Sequence, residues 1–263
     1  MKAYLAILYA RMATLLQYRA AAFAGVATQI FWAMIKTMIL TAFYAQTTAS
    51  QPISLVQAIT FIWLGQALLA LLPWNIDKEL EAQVKNGNVS YELVRPIDLY
   101  SLWYARAFAI RTVPTIMRCI PVFIIAILFF GLTAPISWTA FLAFGVSLIF
   151  GSFLSTAITT LIIISLFWTI SGEGIQRLMP HVALLLSGLT IPLPLFPEWL
   201  QPFLSFQPLR GIIDIPSRLY TGVIPVQEAF YYLGFQLIWI LVLVGMGRWL
   251  MGRALRQIEI QGG

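Results

Sequence analysis

The chain has 263 residues, of which 60% are hydrophobic and only 10% are charged, and its formal net charge is +6. Soluble domains carry about 25% charged residues, and a soluble fold of this length leaves too much surface in water to hide so many apolar side chains. Most of the chain must therefore be solvated by lipid. Its basic residues are dispersed along apolar segments, a pattern typical of the positive-inside rule rather than of nucleic-acid binding.

The first segment, residues 1–19, is apolar but interrupted by Lys2, Arg11 and Arg19. Arg11 cuts short the apolar run that a cleaved leader needs, and no small-residue cleavage site follows it. An interfacial helix on the cytoplasmic leaflet, with its arginines reaching the headgroups, is therefore favoured over a cleaved leader.

Six membrane spans are predicted from the apolar runs, because about 20 apolar residues cross a bilayer. They cover residues 20–44, 52–72, 113–130, 138–168, 178–195 and 228–249. Nearly all lysines and arginines outside the spans then fall on one side, with only Arg210 and Arg218 on the other. The positive-inside rule places the richer side, and with it both termini, in the cytoplasm. The predicted fold is a single all-α membrane domain over residues 1–263.

Three cations lie in or at the edge of predicted spans. Lys36 lies in the first span and Arg118 in the third, and Arg111 lies two residues before the third on the same helix, which Pro114 and Pro121 are expected to kink. Ionisable residues at membrane depth are expensive and often functional. For Lys36 the alternatives are an extension to the outer headgroups, a contact with a partner subunit, or a place on a substrate path. The two arginines are predicted to extend toward the inner headgroups.

The fourth span carries small residues at every fourth position, namely Ser147, Gly151, Ser155 and Thr159. A spacing of four places them on one face of a helix. Two interpretations stay open. Small residues let helices pack closely in a membrane, and the same face is a candidate lining of a substrate path.

Residues 75–106 form the one long polar excursion and hold five of the ten acidic residues. A short helix is predicted over residues 76–85. Its acidic residues lie in the first turns and a lysine lies at its end, an order that the helix dipole favours. These charges are Asp77, Glu79, Glu81 and Lys85.

The end of this excursion is predicted from its glycine and proline. Gly87, after an asparagine, supplies a left-handed cap that ends the helix. Residues 89–95 are predicted to be extended, since Arg95 precedes Pro96 and is steered away from the helical region.

Two further segments interrupt the spans. Residues 171–177, which include Glu173, are either a second contact for a cytoplasmic partner or a solvated turn. Residues 191–225 are dense in proline and apolar side chains, with short helices expected at 198–201 and 209–219. Neither is long enough to span, and non-helical backbone at membrane depth must be surrounded by protein or water. An outer cap of re-entrant helices, dipping into the outer leaflet, is predicted.

No catalytic or metal site is predicted. A phosphate-cradling loop needs a lysine directly after a glycine, and no lysine in the chain follows one. Cys119 and His181 are the only residues of their types, so they cannot supply three nitrogen or sulfur ligands to zinc. His181, at the inner end of the fifth span, is expected to be a satisfied interfacial residue.

The segment from Glu79 to Ala107 resembles permease subunits of the type-2 ABC exporter superfamily. The shared pattern is an acidic helix, then Asn-Gly, then the element Gly-x-x-x-x-Glu-Leu-x-Arg-Pro, and then a basic amphipathic start to the third span. That element consists of Gly87, Glu92, Leu93, Arg95 and Pro96. The most similar subgroup is the small six-span permeases with a separately encoded ATPase, and the layout agrees over nearly the whole chain.

The resemblance implies that the helix between spans two and three is a coupling helix that docks in a cleft of an ATPase. The implied partners are two ATPase subunits, which bind ATP and Mg²⁺, and a second permease, identical or homologous, in a bacterial inner membrane. This chain would bind no cofactor itself. Residues implied in ATPase coupling are Asp77, Glu79, Glu81, Lys85, Gly87, Glu92, Arg95 and Pro96. Candidates for the substrate path are Ser147, Gly151, Ser155, Thr159 and Lys36.

A different class of function stays open beside this one. The chain would then be a membrane scaffold or an intramembrane enzyme that acts without an ATPase, although no clear polar constellation in the spans specifies such chemistry. A proton- or sodium-coupled carrier is disfavoured by the shortage of acidic residues in the spans, since Glu173 and Glu228 lie at span ends.

Overall fold

The computed structural model describes residues 2–17, 19–94, 96–169 and 173–257. Within these ranges all regular structure is helical, which confirms the predicted all-α class. The α-helices are α1 (Lys2–Gln17), α2 (Arg19–Gln46), α3 (Leu55–Ala67), α4 (Lys78–Lys85), α5 (Val89–Leu93), α6 (Leu99–Phe129), α7 (Trp138–Ser165), α8 (Glu173–Leu186), α9 (Gln201–Phe206), α10 (Asp214–Thr221) and α11 (Ala229–Gln257). The 3-10 turns are Leu69–Leu71, Leu193–Leu195, Glu198–Leu200, Pro208–Gly211 and Val226–Glu228.

Four helices in the described part of the chain are long and apolar enough to cross a membrane. They are Ala24–Gln46 within α2, the whole of α6, the whole of α7, and Val226–Arg256, which includes most of α11. α6 continues through both of its prolines, Pro114 and Pro121. These four helices correspond to the first, third, fourth and sixth predicted spans.

α7 is the central helix of the bundle. In its most apolar stretch 67% of the residues are buried, against 17–22% in the other three long helices. The helices α6, α10 and α11 pack around it. Because α2, α6 and α11 expose most of their apolar side chains, these surfaces need lipid or another apolar partner to cover them.

The predicted second and fifth spans are shorter helices than their hydropathy indicates. α3 has 13 residues and α8 has 14, whereas a full crossing takes about 20. α3 begins at a capping box formed by Ser54 and Gln57 and is followed by the 3-10 turn at Leu69–Leu71. The predicted bounds 52–72 and 178–195 are therefore wrong, because hydropathy does not report where helical hydrogen bonding stops.

The cap segment, residues 191–225, contains short helices as predicted, but with different bounds. It reaches the middle of α7, where a Cβ added to Gly151 would lie 3.1 Å from the carbonyl oxygen of Gly211. Gln236 of α11 completes this contact, because its amide nitrogen donates to the carbonyls of Gly211 at 2.6 Å and Ser147 at 3.0 Å. The broken backbone of the cap is thus hydrogen bonded by protein side chains, as a segment shielded from water requires.

Gly151→Ala should lower the free energy of unfolding by about 1–3 kcal/mol, because the added Cβ meets backbone carbonyls that cannot rotate away. Gly145, on the same helix, has nothing within 4 Å of an added Cβ. Gly145→Ala should therefore be neutral or slightly stabilising through helix propensity. Thermal unfolding of the two purified variants in detergent measures the difference. Equal melting temperatures would contradict the close contact between the cap and α7.

Candidate functional site

The polar excursion is built around α4, which begins two residues later than predicted. Asp77 is its N-cap, and the carboxylate accepts a hydrogen bond from the backbone N–H of Glu79 at 3.0 Å. Short polar side chains satisfy the free N–H groups of a helix start in this way. Glu79 and Glu81 occupy the first turn and Lys85 the last, in the order that the helix dipole favours.

Two arginines from different helices hold the start of α4. Arg11 of α1 lies 3.2 Å from Asp77 and 3.0 Å from Glu79, and Arg106 of α6 donates to the same two carboxylates at 2.9 and 2.5 Å. The Asp77 side chain is completely buried, whereas the Glu79 side chain is 62% exposed. Because each carboxylate faces two cations, the start of α4 is fixed to α1 and α6 together.

The middle of α4 is tied to α8. The Glu81 carboxylate accepts hydrogen bonds from Lys85 at 2.8 Å and from Gln176 of α8 at 3.2 Å. A cavity of about 460 Å³ opens beside this contact. Its lining comes from the segment before α4 and from α4, α7 and α8: Pro73, Trp74, Asn75, Ile76, Lys78, Glu81, Ile162, Gln176 and Met179.

The turn after α4 is confirmed, and the extended segment after it is not. Gly87 has φ of +71°, the left-handed conformation that glycine adopts without strain. Residues 89–95 were expected to be extended, but α5 forms there. Val89 is buried in a cluster with Trp103, and the Trp103 indole N–H donates to Glu92 at 3.1 Å. The restriction before a proline acts on position 95 alone, so it does not oppose a helix over Val89–Leu93 that these tertiary contacts stabilise.

The outward side of α5 is apolar. Tyr91 is 75% exposed, Val94 is 84% exposed and Leu93 is 36% exposed, all within four residues. Pro96 is also exposed, whereas Arg95 lies outside the described residues. Several exposed apolar side chains side by side on a polar segment are typical of a surface that another protein covers.

Arg111 of α6 does not extend to the headgroups, so that prediction is wrong. It is 1% exposed and donates to the carbonyl of Leu72 at 2.6 Å and to the Thr159 hydroxyl at 3.1 Å. The adjacent carbonyl of Leu71 accepts a hydrogen bond from Ser155. Leu71 and Leu72 close the 3-10 turn that follows α3, and the Leu72 carbonyl also accepts the backbone N–H of Trp74 at 2.9 Å. A buried cation and a hydroxyl therefore add side-chain hydrogen bonds where this turn ends.

The α7 stripe, defined as Ser147, Gly151, Ser155 and Thr159, faces protein along its whole length. The Ser147 hydroxyl donates to Gln236 at 3.1 Å, Gly151 meets the cap, and the other two residues meet the end of α3 and Arg111. All four residues are buried. These contacts are the close packing that the first interpretation describes, and their place on a substrate path stays a prediction.

Lys36 reaches protein rather than headgroups. Its ammonium group donates to the carbonyl of Leu189 at 2.7 Å, just beyond the end of α8.

The ring Nδ1 of His181 lies 3.0 Å from the carbonyl of Arg177. Among the described residues no group of three or more His, Cys, Asp and Glu is placed to hold a metal ion.

Residues 30–262 match the model of the family described as "ABC-2 family transporter protein". The chain belongs to this family. Its apolar helices and its family together show that it is a multi-pass membrane permease of a transporter. The family match confirms the resemblance seen in residues 79–107. Comparison with curated proteins and with solved structures gave no match. The matched region contains α3 to α11, and α1 precedes it.

Sequence analysis of this ABC-2 permease identified the acidic residues of α4 but missed the cations that hold them. A signal was available, because neither Asp77 nor Glu79 has a basic residue three or four positions further along the chain. Helical ion pairs need that spacing, so the partners had to come from other helices. No comparable signal marks Gln236, whose role depends on where the cap meets α7.

Asp77→Asn should loosen the start of α4, with a cost of about 3 kcal/mol, because it removes the buried charge and leaves two arginines facing Glu79 alone. Asparagine keeps the N-cap, so the change isolates the ion pairs. Amide hydrogen exchange over residues 78–85 measures the effect as faster exchange. Lys85→Gln, which removes a more exposed pair, should cost less than about 0.5 kcal/mol. Similar exchange in both variants would contradict the anchoring role of Asp77.

The ion pairs of Glu79 should also give the permease a stability that depends on pH. Hydrogen bonds from Arg11 and then Arg106 hold the pKa of the Glu79 carboxyl below its ordinary value of 4.5, although partial desolvation opposes them. A lowered folded-state pKa stabilises the fold above the unfolded value, and that stability is lost as the pH falls through the folded value.

Glu79→Gln should therefore lower the melting temperature by a constant amount from pH 7 down to about pH 5.5, and by less below about pH 4.5. Parallel melting curves of the wild type and the variant across this range measure the difference. A gap that stays constant, or that widens as the pH falls, would refute the pairing.

Proposed function

We propose that this chain is the membrane subunit of an ATP-driven exporter, and that α4 and α5 receive force from separate ATPase subunits. Both termini would lie in the cytoplasm of a bacterial cell, with the chain in its inner membrane. α3 and α8 would be the short second and fifth of six spans. The cap segment would supply re-entrant helices that complete the crossing beside them.

The observation that carries this proposal is the double attachment of the α3–α4 joint, residues 68–79, to α6. At one end of the joint Arg111 donates to the carbonyl of Leu72, and at the other Arg106 pairs with Asp77 and Glu79. The two arginines lie five positions apart on one helix. A force applied to α4 would therefore move α6 instead of being absorbed by a loose loop.

The α7 stripe connects the α3–α4 joint to the cap segment, so it could transmit movement from one to the other. Ser155 contacts the carbonyl of Leu71 after α3, and Thr159 contacts Arg111. Gly151 meets the cap at Gly211, and Ser147 is linked to the cap through Gln236 of α11, which also donates to Gly211. A shift of the joint would therefore reach the cap through one rigid helix. We propose that the stripe separates during transport, so that Ser147, Gly151, Ser155 and Thr159, together with Lys36, come to border the substrate path between this chain and a second permease.

The surface proposed for the ATPase consists of the exposed parts of α4 and α5. Glu79 and Glu92 each make contacts within the chain, so they would act chiefly by shaping this surface. Tyr91 and Val94 make the larger apolar contribution, and apolar anchors typically dominate a protein interface. ATP and Mg²⁺ would be bound by the partner, because this chain has no phosphate-binding loop.

Tyr91→Ala combined with Val94→Asp should abolish copurification of the ATPase and reduce transport at least tenfold, while the melting temperature of the isolated permease stays unchanged. Both side chains are mostly exposed, so their loss removes no core packing. Tyr9→Ala is the matched control, since Tyr9 is 73% exposed and belongs to α1, which is not part of the proposed surface. Normal ATPase binding by the double variant would count against the proposed docking surface. A wild-type complex that contains no nucleotide-binding subunit would favour the scaffold or enzyme alternative.

A further inference from the structure

Arg118 of α6 is a cation within the predicted third span. The described residues provide no hydrogen-bond acceptor for its guanidinium. Lys36 and Arg111, the other cations predicted in or at the edge of spans, each donate to a backbone carbonyl. Arg118 makes no such bond, and its Nε is buried without a partner. The rest of the Arg118 side chain is partly exposed, and a cation at membrane depth is costly without an anion or water beside it. An anion at this position would therefore stabilise the cation.

The guanidinium lies against a glycine of α2. A Cβ added to Gly25 would stand 2.8 Å from the Cζ of Arg118 and 2.9 Å from its Nε. Any larger residue at position 25 would displace the side chain. The absence of a side chain there therefore creates the space in which the cation sits between α2 and α6.

Gln29 supplies a second unpartnered polar group on the same face of α2. It follows Gly25 by four positions, one helical turn. The side chain is 1% exposed, yet neither its amide nitrogen nor its oxygen has a hydrogen-bond partner. A buried amide without partners costs free energy unless a bound group satisfies it. The Arg118 guanidinium lies at the level of Gly25, and the Gln29 carboxamide lies one turn further along α2. Together they carry several N–H donors for one oxyanion.

The position of the pair along the helices fits the phosphate of a membrane lipid. Gly25 and Arg118 each lie five residues inside a predicted span, the first beginning at residue 20 and the third at residue 113, which is a depth of about 7.5 Å at 1.5 Å per residue. An arginine side chain is long enough to carry its guanidinium from that depth toward the headgroups, where lipid phosphates lie. Toward the other ends of both helices the exposed side chains are apolar and suited to acyl chains: Phe31, Trp32, Ile120 and Ile124.

We propose that Arg118, Gly25 and Gln29 form a binding site for the phosphate of an anionic phospholipid, held in the groove between α2 and α6. Gly25 leaves room for the Arg118 guanidinium, which pairs with the phosphate, and the Gln29 amide donates to a phosphate oxygen. The lipid belongs to the leaflet on the α1 side, which is the inner leaflet under the topology proposed above. This site is independent of any ATPase.

Native mass spectrometry of the full chain, purified in detergent and supplied with phosphatidylglycerol, tests the site. Wild-type protein should retain at least one phosphatidylglycerol more than Arg118→Met, and the lipid should raise its melting temperature by about 3 °C or more. Arg253→Met, which removes an arginine stacked on Trp249 at the other end of the chain, should retain lipid as the wild type does. Gly25→Ala keeps every charge and should also lose the lipid, so it tests the site even if the arginine variant fails to fold.

Four results would overturn the proposal. Equal phosphatidylglycerol retention by the wild type, Arg118→Met and Gly25→Ala would show that the site binds no lipid. Equal stabilisation by glycerol phosphate would show that a free phosphate suffices, and equal stabilisation by phosphatidylcholine would remove the preference for an anionic lipid. If Arg118→Met instead lowers the mass of the protein assembly with lipid retention unchanged, the anion is a carboxylate of a partner subunit. None of these measurements uses nucleotide or ATPase, so their outcome does not depend on whether the proposed exporter function is correct.

Discussion

The attachment of α6 to the joint between α3 and α4 is the constraint on which the rest of the structure depends. A buried arginine is expensive unless its donors are satisfied. Arg111 donates to the carbonyl of Leu72, which also accepts the backbone N–H of Trp74, and to the Thr159 hydroxyl of α7. The turn that follows α3 is thereby tied to α6 and α7 at a buried position. Arg106 then adds a second attachment nearer the polar surface.

α7 connects this attachment to the other side of the protein. Small side chains on one face let it approach the end of α3, α11 and the cap more closely than large ones would allow. The contacts are specific, because each position meets a defined backbone carbonyl or polar side chain. Ser147 and Gln236 hold the cap where its backbone is broken, and Ser155 holds the end of α3. One straight helix therefore positions both polar ends of the bundle.

The parts of the fold that sequence analysis predicted are those that local physics determines. The charge order of α4 follows from the helix dipole, the turn at Gly87 follows from its freedom to adopt positive φ, and the long spans follow from their apolar length. α5 was missed because its stability comes from Val89 and Glu92 meeting Trp103, a contact that no local pattern encodes. The sequence shows that Arg111 lies close to the membrane-spanning part of its helix, but it does not show that the carbonyl of Leu72 would accept its hydrogen bond.

In the candidate site, too, local features could be predicted from the sequence and contacts between distant residues could not. Its acidic members were identified from their position on a short helix, whereas Arg11 is distant in sequence and comes from α1. The bounds of α3 and α8 were misjudged because a hydropathy run counts apolar residues and does not detect a change from α-helical to 3-10 bonding. Arg95 lies outside the described residues, and the role in ATPase coupling that the resemblance implies for it stays a prediction.

The shortness of α8 has a consequence for the surrounding bilayer. With 14 residues it rises only about 20 Å, and Gln207 of the cap continues from its end by donating to the carbonyl of Leu186 at 2.8 Å. Long helices accommodate a thinner bilayer by tilting, but a stack of short pieces joined end to end has no such freedom. If α8 is the fifth span, as proposed, a change in bilayer thickness would act on the seam between α8 and the cap, where a side-chain hydrogen bond takes the place of a continuous helix.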